Sequence, residues 1–106
     1  MIDLRPAKLE VLMDQQRTIQ FDLNSFNTLE KHYGDINKAL AELEKIGKGK
    51  DYVKTITVFI WAGLATDFEE SKKPLKVEEV AQYIGLAGLN ALGPEIYKAI
   101  AAEVAE

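Results

Sequence analysis

The chain has 106 residues, 47% of them apolar and 28% charged, with a formal net charge of −4 and no cysteine. This balance describes one globular domain, residues 1–106, with a single core, and argues against a disordered tail or a basic nucleic-acid-binding surface. It leaves out disulfides, thiolate catalysis and most structural zinc sites, and the longest apolar run, Val58–Ala65, is far short of the roughly 20 residues a membrane-spanning helix needs.

The opening MIDLRPAKLE has no apolar stretch of the kind a secretory signal requires, and the absence of cysteine makes a bacterial or viral cytoplasmic setting the expectation. Lys8–Met13 alternates polar and apolar residues, with Leu9, Val11 and Met13 on one side, the pattern of a half-buried strand. Asp14–Arg17 reads as a polar break, and Thr18–Phe21 as a second strand. Together 8–21 predicts an antiparallel hairpin whose apolar face needs helices to cover it.

Residues 22–105 predict a helical region. Asp22 or Asn24 can cap the first helix, whose Leu23, Phe26, Leu29 and Tyr33 recur at three- and four-residue spacing. Gly34 fits the left-handed residue that ends a helix, and Asp35 can cap a second one at once. Ile36, Ala39, Leu40, Leu43 and Ile46 form the stripe of that second helix. Gly47–Lys50 is a linker. A third helix, 51–66, is apolar nearly all round, through Tyr52, Val53, Ile56, Val58, Phe59, Ile60, Trp61, Ala62 and Leu64. Such a helix belongs at the centre of a fold, with Gly63 admitting a neighbouring helix. Residues 67–74 read as a second linker, closed by Pro74. Leu75–Val80 opens a fourth helix with acids in its first turn, and Val77, Val80, Ala81 and Ile84 face inward. Gly85–Gly93 is either a loose helical continuation or an apolar loop. Pro94 fits the first turn of a last helix carrying Ile96, Ile100 and Val104. The fold class is therefore mainly α with a small N-terminal β-hairpin (α+β), about five helices surrounding the central apolar one.

Chemistry-bearing patterns are absent from the sequence. His32 is the only histidine, and Glu30 and Asp35 do not share its helix face, so a surface histidine near a helix end is the reading. Glu69-Glu70 and Glu78-Glu79 sit in polar turns or helix starts. Gly47-Lys48-Gly49-Lys50 lacks the spacing and preceding strand of a phosphate loop. Lys48, Lys50 and Lys54, then Lys72, Lys73 and Lys76, form small clusters without interleaved aromatics and read as solvated residues rather than phosphate contacts. Trp61 reads as core. Neither enzymatic activity nor any cofactor or metal is expected. The glycine-rich apolar segment and the narrow stripe after it are poorly explained by a closed core. Leu86, Leu89, Leu92, Ile96, Ile100 and Val104 are therefore the candidate partner-binding positions, for another chain or for self-association.

Read in order, several segments resemble the tail assembly chaperones of long-tailed bacteriophages and related prophages. The likeness is carried by Ile19–Phe26 with Leu29-Glu30, Gly34 and Leu40, then by Ile60-Trp61-Ala62-Gly63-Leu64. It continues in Leu75–Ile84 and an alanine-spaced C-terminal helix, and covers roughly residues 8–104. Lys76 departs from it, standing where the family often places a Thr or Ser cap. The resemblance implies a non-catalytic protein of the bacterial host cytoplasm. It would bind the tape measure protein, keep it soluble, assist tail tube assembly, and be missing from the mature virion. The competing expectation is a small structural or adaptor protein retained in the particle at the head–tail junction or in the tail.

Overall fold

The computed structural model describes residues 8–46 and 52–104, together with the side chains of all of these except Ile46, Tyr52, Glu103 and Val104. The expected linker at 47–50 and helix start at Asp51 lie outside the described residues. Strand β1 (Lys8–Leu12) pairs antiparallel with β2 (Gln16–Gln20), Leu9 opposite Ile19 and Val11 opposite Arg17. The second strand thus begins inside the segment read as a polar break. Period two explains this: Arg17, Ile19 and Phe21 alternate onto the buried face, and each is 1% exposed. A guanidinium can take a core position only when its charge is met, and here two carboxylates meet it.

Helix α1 (Leu23–Tyr33) starts where expected. Asp22 Oδ1 accepts the Ser25 N–H at 3.0 Å, and Gly34, at φ 96°, ends the helix with its N–H on the Glu30 carbonyl. Leu23 is not part of the buried stripe, being 81% exposed. It lies six residues before Leu29, about 120° around the helix, and buried Ser25 takes the inward position, its hydroxyl donating to the Gln20 carbonyl at 2.6 Å. Asp35 caps α2 (Ile36–Ile46) through the N–H groups of Asn37 and Lys38.

Helix α3 (Tyr52–Gly63) is central: β2, α1, α2, α4 and α5 all pack against it. The expected single helix 51–66 is broken at Leu64, whose N–H is shared between the carbonyls of Ile60 and Trp61, both at 3.1 Å. Gly63 admits a strand rather than a helix. A Cβ there would lie 2.7 Å from Ile19 Cγ2 and 3.0 Å from Phe21 Cζ. Val53, in the first turn, is exposed rather than packed.

Residues 67–74, expected to be a linker, are helical as far as Ser71, forming α4 (Ala65–Ser71). Asp67 and Glu69 of that segment, with Thr66 just before it, hold α4 to the hairpin and to α1. Arg17 Nη1 donates to Asp67 Oδ2, Asp67 Oδ1 accepts the Thr18 N–H, Thr66 Oγ1 donates to Asp22 Oδ2, and Asn24 Nδ2 donates to Thr66 Oγ1 and Glu69 Oε2. Lys72 closes α4 in the left-handed region at φ 62°. Trp61, half-buried, ties α3 to the next segment by donating Nε1–H to the Leu75 carbonyl at 3.0 Å.

The span Val77–Val104 (α5) is two helical segments that meet at Gly85, where the sequence divides them, and the second runs on through Pro94, where the sequence expects a new start. Where Lys76 offers no capping side chain, Glu79 Oε1 accepts the Lys76 N–H at 3.0 Å, half of a capping box. Gly85 bends the helix at φ 70°, ψ 173°, a conformation open essentially to glycine alone. Pro94 lies inside the helix rather than at its first turn.

Candidate interaction surface

The way α5 packs decides which of its residues can meet another molecule. Its inner side sends Val80, Leu89, Ile96 and Ile100 into the common core, with Ile84, Leu92 and Ala99 half-buried beside them. Burying a side chain of this size fully contributes roughly 1.5–3 kcal/mol, enough to keep residues 86–93 helical despite their glycines. Three of the partner-binding positions expected from sequence, Leu89, Ile96 and Ile100, are therefore core, and Leu92 is half-buried against it. The Val104 side chain lies outside the described residues. Of the five whose side chains are described, Leu86 alone is open, at 64% exposure.

The open side of the same helix is itself apolar. Leu86, Ala87, Ala91, Pro94, Tyr97 and Ala102 are all exposed, joined by Asn90 and by Glu95 and Lys98, which approach each other to 3.8 Å. Tyr97 is 46% exposed, and Tyr83, before the bend, is also exposed. Steps of three and four residues, as in 87, 90, 94, 97, keep this strip on one side, opposite the core stripe. The sequence signal was present, since a helix with two apolar stripes out of phase must leave one uncovered if only one neighbour packs on it. Periodicity alone does not say which stripe that is.

A concave feature lies elsewhere, between α1, α2 and α3. It encloses about 290 Å³ and is lined by His32, Tyr33, Glu42, Lys45, Lys54, Thr55 and Val58. Burial, reinforced by the Glu42 carboxylate, pushes the Tyr33 hydroxyl up to a pKa of about 12. Lys45 is engaged with Glu42 at 2.8 Å. His32 is exposed, its ring edge-on to Tyr33 and Trp61 at centroid distances of 4.9 and 5.9 Å. This wall therefore carries one acid, two lysines, a histidine, a threonine hydroxyl and a phenol held neutral.

Buried charge is concentrated instead at the hairpin. Arg17 donates through Nε and Nη2 to both oxygens of Asp14, at 2.9 and 2.7 Å, and through Nη1 to Asp67 at 3.0 Å, with its guanidinium over the Phe68 ring at 5.3 Å. Every polar atom there has a structural partner, and Asp14 is held below the usual carboxylate range by the Arg17 hydrogen bonds. Among the described residues, no three His, Asp or Glu side chains gather as metal ligands, and no helix is long and apolar enough to cross a membrane. Comparison with family models, curated proteins and solved structures finds no match for this chain.

Proposed function

We propose that this protein is a tail assembly chaperone of a long-tailed phage or prophage, acting in the host cytoplasm on the tape measure protein. The observation that carries the reading is the apolar outer strip of α5. A helix whose second stripe is left in water suits an amphipathic client helix laid against it. A tape measure protein is long and helix-rich, so many copies can line one client, each contact weak and the total strong. In this reading the working surface is Leu86, Ala87, Ala91, Pro94 and Tyr97, while Leu89, Ile96 and Ile100 hold the helix in place.

The test is co-expression with fragments tiling the tape measure protein encoded in the same genome. At least one fragment is expected to become soluble and to co-elute with the chain. Leu86→Ser combined with Tyr97→Ser should abolish co-elution while leaving the melting temperature within a few degrees. If no fragment is solubilised or bound, the chaperone reading fails. If the chain is retained in purified particles, it is a structural component instead.

A further inference from the structure

Residue pairs across an antiparallel ladder alternate between those that exchange both backbone hydrogen bonds and those whose N–H and C=O groups point outward. Thr18 directs its N–H away from β1, onto Asp67 Oδ1 at 3.1 Å, so Glu10–Thr18 is an outward-pointing pair. The short cross-strand contact between their side chains agrees with this, with Thr18 Oγ1 3.1 Å from both Glu10 oxygens. By alternation, Lys8–Gln20 and Leu12–Gln16 are pairs of the same kind. The N–H and C=O groups of Lys8, Glu10 and Leu12 therefore all face outward from the far side of β1. On β2 the corresponding edge is covered by α4 through Asp67. On β1 no hydrogen bond from any described residue reaches it, and the sheet ends there.

We propose that the free edge of β1 pairs antiparallel with β1 of a second copy of this chain. Charge selects both the occupant and the register. Placing Glu10 on the two-fold axis would set like charges directly opposite one another, which is destabilising. Placing Leu9 on the axis sets Lys8 of each copy opposite Glu10 of the other, twice by symmetry. The groups that then exchange hydrogen bonds are those already pointing outward, and Leu9 meets Leu9 on the core side. Lys8 has no side-chain partner among the described residues, and a carboxylate that accepts from Thr18 and Gln16 has lone pairs left for it. The contact is isologous, as a dimer requires. It uses a strand of five residues, far fewer than the roughly 20–30 a side of a stable interface, so it forms only at protein concentrations on the order of 100 µM and above. The proposal is independent of the client reading, since it uses the opposite end of the chain from the α5 strip.

Sedimentation equilibrium across a concentration series tests it, using the wild type, Lys8→Glu, Glu10→Lys and an equimolar mixture of the two variants. The wild type is expected to show a monomer–dimer equilibrium. Each variant alone sets like charges opposite one another and should weaken dimerisation at least tenfold. The mixture restores unlike charges at both contacts and should recover it as a heterodimer. Circular dichroism melts establish that both variants are folded; should Glu10→Lys unfold the hairpin, Lys8→Glu mixed with Glu10→Gln replaces that arm, with partial recovery expected. A wild type that stays monomeric at millimolar concentration overturns the proposal. So does undiminished dimerisation of Lys8→Glu, which would move the contact to another surface, and so does a mixture no better than its components.

Discussion

Arg17→Met removes a cation from a site that is closed to solvent, and its cost follows from what is left behind. The guanidinium makes a bidentate contact to Asp14 and a third bond to Asp67, whose side chains are 24% and 14% exposed. Breaking a buried ion pair by deleting one partner costs about 3–5 kcal/mol. Both carboxylates here keep some water, and Asp67 keeps the Thr18 N–H, so the expected loss is about 2–4 kcal/mol. Methionine retains most of the stem's packing against Phe68, so little of that loss is cavity. At this chain length 1 kcal/mol corresponds to roughly 4 °C in Tm, and a fall of about 8–15 °C should be seen by calorimetry or urea titration. The Arg17→Met, Asp67→Asn double-mutant cycle should give a coupling above about 1 kcal/mol. The same pairing makes stability depend on pH in acid. Asp14 has a depressed folded-state pKa, so its contribution is complete above the unfolded value of about 3.9 and disappears as pH falls through the folded value. In Arg17→Met, stability should therefore fall less steeply below pH 4 than in the wild type. A variant within about 0.5 kcal/mol of the wild type, with an unchanged acid limb, would refute the view that this cluster holds the hairpin to α4.

Gly63→Ala should destabilise by about 1–2 kcal/mol in urea unfolding, because a Cβ 2.7 Å from Ile19 Cγ2 forces overpacking that exceeds the roughly 1 kcal/mol of helix propensity gained. Lys72→Gly should stabilise by about 0.5–1 kcal/mol in the same assay, since it relieves a left-handed backbone at φ 62°. Ile100→Ala should cost about 2–4 kcal/mol, whereas Leu86→Ser should change Tm little; near-equal effects would contradict the assignment of inner and outer sides to α5. Absorbance titration of the wild type minus Tyr33→Phe should show an inflection at about pH 12. Because that folded-state pKa is raised, the group's contribution is complete below its unfolded value near 10 and is lost as pH rises toward 12.

Local chemistry was enough to read much of this architecture from the chain. The alternation in Lys8–Met13, the Asp22 and Asp35 caps, the left-handed Gly34 and the apolar α3 each act within a few residues, and all are present in the structure. What the tertiary structure decided depends on partners distant in sequence. Arg17 looks like a turn residue until Asp67, fifty positions later, neutralises it inside the core. Residues 67–71 look like a linker until Asp67 finds Arg17 and Thr18, and Glu69 finds Asn24. Leu23 looks like core until Ser25 takes the inward position.

The same limit governs the interaction surface. The sequence determined that residues 85–104 carry more apolar surface than a closed core explains, in a glycine-rich apolar segment and the stripe that follows it. Only packing against α3 determined that Leu89, Ile96 and Ile100 are spent on the core while Leu86 and Tyr97 stay in water. Hydrophobic burial has no direction of its own. A chain can specify that a face is apolar, and the neighbour that arrives from elsewhere in the fold decides whether it is covered.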